Sequence, residues 1–325
     1  ASKKPEVEPI DFDPLSDLDR ADELPLRYYG SYHVWQVQQL DGAIDRLLEL
    51  RAKYAGKNLR FDTIKIHLDG LPEVLTASML EPYATDEGSR GGQLFDKERL
   101  AAFLLKLDRD GIDLHVHSVG DGSTRAVLDA VQEARGKLGR PLKIQVTLAH
   151  LFVVSPEDIP RFRQLDVNAN FTPQWFSGVQ YGHAAAVTLG RERADRQQMA
   201  GSLVRAGANV TFASDVVSSG GMPRSDPFVG IQMSMTRREL DGVQASDRNP
   251  RNDEALTLPQ ALAAYTLAGA KQLAIADEVG TLSAGKRADL VVLGSDPFGV
   301  PAQAIHEIKV SAVIHDGKLV AGALP

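Results

Sequence analysis

The sequence predicts an α/β protein built on a parallel sheet and closed by a small all-β segment. Segments of strand character alternate with segments of helical periodicity from residue 26 to 276, the spacing of βα units. The pattern then changes, because 288–293 and 309–321 read as strands, the second stretch folded at Asp316-Gly317, a strong tight-turn signal. The 325 residues are 43% hydrophobic, enough for a core larger than one small domain requires. Three parts are expected: an irregular arm over 1–25, an α/β body over 26–278 and a β segment over 279–325.

Within the arm, Pro14 to Asp22 can form a short helix. Leu26 to Ser31 reads as a first strand, and Leu40 to Ala55 carries leucines at helical spacing. Thr63 to Leu68 alternates and is β-branched, a strand. Residues 70–95, with Pro72, Pro82 and three glycines, read as a long loop of the kind that borders an active site. Asp96 caps a helix ended by Gly111, and the strand GIDLHVHSVGD follows, then a helix from Ser123 to Lys137. Ile144 to His150 and Val167 to Phe171 are strands, with a helix opened by Ser155-Pro156 between them. After a polar loop from Thr172 to Gly182 come a helix over 197–206, a strand over 210–214, a Ser/Gly/Pro loop to Arg224, and a helix opened by the capping box Thr257-Leu-Pro-Gln260 that runs to Ile275.

Composition excludes several classes. The net charge of −7 is modest and mixed, with no basic block, so nucleic acid is not an expected partner. Without cysteine there are no disulfides, thiolate metal sites or cysteine nucleophiles. No apolar run reaches the roughly 18 residues of a membrane span. ASKKPEVEP lacks a signal-peptide core, so a cytoplasmic protein is expected, with a periplasmic one as the alternative.

Chemistry gathers at strand ends. His115 and His117 share a strand face with Asp113, while His117, His150 and Asp215 end their strands and Lys65 lies on the face of His67 and Asp69. Catalytic groups in α/β folds come from the carboxyl ends of several strands, and His, His and Asp can bind Zn²⁺. A lysine fits such a site if its amine is carboxylated to an anionic carbamate. Each residue also has a structural reading: a strand-end histidine can be a bonded core residue, Lys65 can pair with Asp69 or Asp113, and Asp215 can be an N-cap. His67 and His115 read as core or supporting residues, whereas His33, His183, His306 and His315 are expected to take no part in chemistry. There is no G-x-S-x-G elbow and no P-loop, and Gly120-Asp-Gly122 lacks the third glycine of a dinucleotide fingerprint. About six strands precede the β tail, against eight for a closed (β/α)₈ barrel, so an open doubly wound sheet is the other arrangement.

KIHLDG, HVHSVGD, TLAH, LGRERA, ASD, ALAAYTLAGAK and GTLSAGKRADLVVLGSDPF, taken in order, resemble the amidohydrolase superfamily, in its amidohydrolase family 3 branch of metal-dependent hydrolases similar to N-substituted formamide deformylases. The resemblance implies a TIM-like (β/α)₈ barrel with a small β-sandwich made from both chain ends. It implies one or two divalent metals, usually zinc, and hydrolysis of an amide or other C–N bond of a small molecule. Lys65 then matches the family's fourth-strand lysine, His117 and His150 its fifth- and sixth-strand histidines, and Asp215 its eighth-strand aspartate, metal ligand and proton carrier. The family's first-strand H-x-H pair has no counterpart upstream of Lys65. The expectation is therefore an incomplete barrel whose first strands are missing, the carboxyl-terminal part of a longer enzyme. The rival is a shortened, non-catalytic binding or scaffold protein. Loops 70–95, 172–190 and 216–226 are expected to shape the pocket, and exposed sheet edges to be covered by the first 25 residues or by homo-oligomer formation.

Overall fold

The computed structural model describes residues 11–178, 182–216, 219–240 and 252–324. Six strands form one sheet in chain order: β1 (Tyr28–Val34), β2 (Leu59–His67), β3 (Asp113–Ser118), β4 (Val146–His150), β5 (Val167–Phe171) and β6 (Val210–Phe212). All five neighbouring pairs are parallel. A doubly wound sheet reverses its order at a switch point. This sheet does not, so it is a sector of a barrel. Among the described residues β1 and β6 are its unpaired ends, and the barrel is not closed.

Burial explains which way the strands face. Leu59, Phe61, Ile64 and Ile66 of β2 are fully buried toward the surrounding helices. The parity changes between Phe61 and Ile64 because Asp62 is an extra residue opposite the Gly30/Ser31 step of β1, a β-bulge. The bulge sets Lys65 and His67 on the inner face, in register with His115 and His117.

Among the described residues eleven α-helices accompany the sheets: α1 (Asp13–Arg20), α2 (Ala43–Tyr54), α3 (Lys97–Asp110), α4 (Asp121–Leu138), α5 (Ile159–Leu165), α6 (Gly182–Leu189), α7 (Arg191–Ala194), α8 (Ala200–Arg205), α9 (Pro227–Thr236), α10 (Leu258–Tyr265) and α11 (Leu267–Gln272). The Asp96 carboxylate accepts the Arg99 N–H at 2.8 Å to cap α3, and Gly111 ends it in the left-handed region. The helix expected over 257–275 begins with its capping box but breaks at Thr266. The Thr266 hydroxyl donates to the Leu262 carbonyl at 2.8 Å, a back-bond that bends helices.

Three expectations are corrected. The stretch expected as loop 172–190 contains α6, and α9 was not anticipated: PFVGIQMSMT is buried on nearly all sides and has no polar stripe to show helical period. Within the expected loops, residues 179–181 and 217–218 lie outside the described residues. Residues 11–25 add no strand to the open edge. Instead Phe12 packs on Phe61, Tyr54 and Tyr28, with ring centroids 4.9, 5.6 and 6.3 Å away, closing the amino-terminal ends of the first strands.

A separate antiparallel sheet ends the chain, with β7 (Leu290–Leu293), β8 (Val310–His315) and β9 (Lys318–Gly322). The turn at Asp316-Gly317 has φ of 51° and 78°, the doubly left-handed geometry of a tight hairpin. Ion pairs Arg27–Asp289 and Asp22–Lys318 tie the amino-terminal arm to this sheet.

Candidate active site

The carboxyl ends of β1 to β4 open into a cleft of about 600 Å³. Lys65, His117, His150 and Asp215 all line it, so the residues singled out for metal chemistry lie in one place. His67 and His115 line it too. His33, expected in a loop, is placed differently: β1 runs to Val34, past the strand end expected at Ser31, and sets His33 beside Lys65 in register, on the lining of the same cleft. Its signal was the continuation of the inward alternation through Ser31 to His33. His306 and His315 bond Gln232 and Asp289 elsewhere, and the side chain of His183 lies outside the described residues.

The aromatic rings form a continuous ladder across the sheet. His33 stacks on Trp35 at 3.7 Å between centroids, Trp35 on His67 at 4.8 Å, and His67 on His117 at 3.9 Å. His117 meets His150 edge-on at 4.5 Å, and His150 stacks on Trp175 at 5.4 Å. Burial lowers the pKa of every imidazole in the row, to about 4 for His33 and about 3 for His117, and well below the usual range for His115 and His150. At neutral pH these rings are uncharged and keep a nitrogen lone pair.

Three of those nitrogens are buried and have no hydrogen-bond partner among the described residues: His33 Nε2, His117 Nε2 and His150 Nδ1. Asp215 Oδ2 lies 4.0 Å from His150 Nδ1, and Asp69 Oδ1 lies 4.0 Å from His117 Nε2, both beyond hydrogen-bond length. Burial brings the Lys65 ammonium down to about 8, opposed by the charge of Asp215, and raises the Asp215 carboxyl against the pull of Lys65. The alternative partners of Lys65 are engaged elsewhere: Asp113 accepts the Gln145 N–H at 2.8 Å, and Asp69 binds backbone. The donors fit a divalent ion in kind, being two unpartnered imidazole nitrogens, a carboxylate and an amine that can be made anionic. Among the described residues no three His, Asp or Glu side chains converge closely enough to hold an ion by themselves.

The backbone here is forced. His150, Leu151 and Asp215 have φ of 78°, 46° and 49°, the left-handed region that residues other than glycine avoid. The Leu151 N–H donates to the Ser118 carbonyl at 3.0 Å, and the Ala213 N–H to that of Phe171 at 2.9 Å, holding both strand ends in place.

Asp69 sits beneath the site. Its buried carboxylate accepts the N–H groups of Val119 (3.0 Å), Gly120 (2.9 Å) and Ser78 (3.1 Å) and the Ser123 hydroxyl (2.7 Å). It pins the loop after β2 to the turn that follows His117. Gly120 and Gly122 serve the same contact, not a dinucleotide: a Cβ at Gly120 would lie 1.9 Å from the Ser78 carbonyl oxygen. A second cleft of about 490 Å³ opens at the amino ends of the strands, but its amides satisfy one another, Asn209 donating to Asn168 at 2.8 Å and Asn168 to Gln145 at 3.2 Å.

An inner row of histidines, with a lysine and an aspartate, thus lines the carboxyl-terminal side of a (β/α) barrel sector. Residues 2–321 match the model of the amidohydrolase family, and the chain belongs to that family. It is 27% identical over 282 residues to the putative amidohydrolase YtcJ of Bacillus subtilis, covering 86% of this chain and 50% of that protein. It is 24% identical to the N-substituted formamide deformylase of Arthrobacter pascens, covering 93% of this chain and 53% of that one. In fold it is similar to a metal-dependent hydrolase from Pyrococcus horikoshii OT3, with TM-score 0.70 and 21% identity over 89% of this chain and 54% of the other. The chain thus spans about half the length of these relatives.

Proposed function

We propose that this cleft belongs to a metal-dependent amidohydrolase that cleaves an amide or other C–N bond of a small molecule, outside peptides, by attack of water. The observation that carries the reading is the pair of buried, unpartnered nitrogens, His117 Nε2 and His150 Nδ1, with Asp215 beside the second. A divalent ion such as zinc would be held by His117, His150, Asp215 and carboxylated Lys65, and when bound would supply Lewis acidity toward water and a carbonyl. The strand-end backbone orients both imidazoles. The lowered pKa of Lys65 enlarges the minor share of neutral amine, the form whose nitrogen adds to carbon dioxide and releases a proton to leave a carbamate. Asp215 takes the proton of the attacking water on a carboxylate oxygen and passes it to the leaving nitrogen, a general base and then a general acid. The names of the amidohydrolase and deformylase relatives support an amide substrate.

A second reading, a non-catalytic binding protein, is favoured by the failure of three described His, Asp or Glu groups to converge. Zinc analysis separates the two. The chain is equilibrated with zinc and bicarbonate, desalted, and its metal measured beside turnover of an amide panel. Zinc retained by the native chain and lost in His117→Ala and His150→Ala, with turnover reduced roughly 100-fold or more in Asp215→Asn, is the expected result. Equal zinc in all three proteins overturns the assignment, and retained zinc without turnover favours the second reading.

A further inference from the structure

The cleft contains one carboxylate that the proposed chemistry does not use. Glu73 sits on the short 3-10 turn Pro72–Val74 that follows β2, and it lines the same cleft as Trp35 and Trp175. The side chain is half-buried, its Oε2 is buried without a hydrogen-bond partner among the described residues, and its own backbone N–H is the one donor that acts on the carboxylate. An acceptor withdrawn from water without a partner is destabilised, and a ligand donor removes that penalty. The surroundings suit a cation, because the faces of two indoles on the same cleft attract positive charge. Lys65, the cleft's ammonium, lies on the β2 strand itself, with Asp215 as its opposing charge.

We infer that Glu73 is a specificity residue: the cleft takes ligands that carry a protonated amine next to an aromatic or apolar body, the amine reaching Glu73 and the body lying against Trp35 and Trp175. For the reaction this rests on the amidohydrolase reading and names its substrate class as amides with a basic substituent. The binding part stands independently.

Trp35 and Trp175 are the chain's two tryptophans and both line the cleft, so fluorescence excited selectively in tryptophan reports on the cleft. Benzylamine and benzyl alcohol, titrated into the full chain at pH 7.5 with EDTA present, compare a cationic ligand with a neutral one of nearly the same shape. The expected result is that benzylamine binds roughly tenfold or more tightly than the alcohol, the scale of one charge-assisted hydrogen bond. In Glu73→Gln that preference disappears while affinity for the alcohol is unchanged. Equal binding of the two ligands to the native chain, or an equal loss of both in Glu73→Gln, overturns the inference. The amine preference without any zinc-dependent hydrolysis would sink the amidohydrolase reading and leave this one standing. Hydrolysis of neutral amides with no amine preference would do the reverse.

Discussion

Replacing Asp69 tests whether the site is held together from below. The Asp69 carboxylate is wholly buried and receives four hydrogen bonds, from Val119, Gly120 and Ser78 backbone N–H groups and the Ser123 hydroxyl. Ser123 keeps a second acceptor, the Gly120 carbonyl at 2.9 Å, but the Val119 and Gly120 amides are buried. Asp69→Ala therefore orphans two buried N–H groups, at about 1 to 3 kcal/mol each. An offset exists, because burial has pushed this carboxyl up to about 6 and the variant relieves a buried charge. The net expected loss is about 2 to 4 kcal/mol in Asp69→Ala, and about half that in Asp69→Asn, whose oxygen keeps some of the bonds while its NH₂ opposes others. Urea unfolding followed by tryptophan fluorescence measures both values. A loss below about 1 kcal/mol in Asp69→Ala would show that the loop and the turn after His117 are positioned by something else.

Other consequences follow from the same geometry. Gly120→Ala sets a Cβ 1.9 Å from the Ser78 carbonyl oxygen and is expected to lower stability by about 2 kcal/mol, whereas Gly136→Ala, within α4 and facing nothing within 4 Å, should raise it by about 0.5 to 1 kcal/mol. Calorimetry that shows both variants melting with the native chain contradicts the packing argument. Acid should weaken the fold: histidines held below their unfolded value, such as His33 at about 4, contribute stability that is present above pH 6.5 and lost as pH falls through that window. Asp113, raised to about 6, works in the opposite sense, its contribution being present in acid and lost as pH rises through 6. Urea midpoints from pH 7.5 to 4.5 should fall, less steeply in His33→Gln and more steeply in Asp113→Asn; flat profiles contradict both assignments. The unpaired edges of β1 and β6 lead us to propose a homo-oligomer in solution, and a monomer by light scattering would refute it.

Much of the frame was legible because it rests on local periodicity. The inward alternation of TIKIH and LHVH, the Asp96 and Thr257 helix starts and the Asp316-Gly317 turn each satisfy a rule that needs only neighbours in sequence. Six parallel strands lie at the expected places, with β1 running on to Val34 and β6 ending at Phe212, and strand parity was enough to set Lys65 and His117 on the inner face, whereas Asp215 lies three residues beyond β6. Helix α9 was hidden for the same physical reason, since a helix buried on most sides carries no polar stripe to mark its period.

The tertiary structure decided what parity cannot express. Sheet order, which separates a barrel sector from a doubly wound sheet, depends on which strands meet across long connections. The place of His33 depends on how far β1 runs before its pairing ends. The role of Asp69, the crowding that demands glycine at 120, and the unpartnered carboxylate oxygen of Glu73 arise from a loop folding back on a distant turn. Residue type and spacing by themselves determined which side chains could do chemistry. Long-range packing determined which of them are desolvated, and so which imidazoles are neutral, which nitrogens are left without partners and which acids are held out of water.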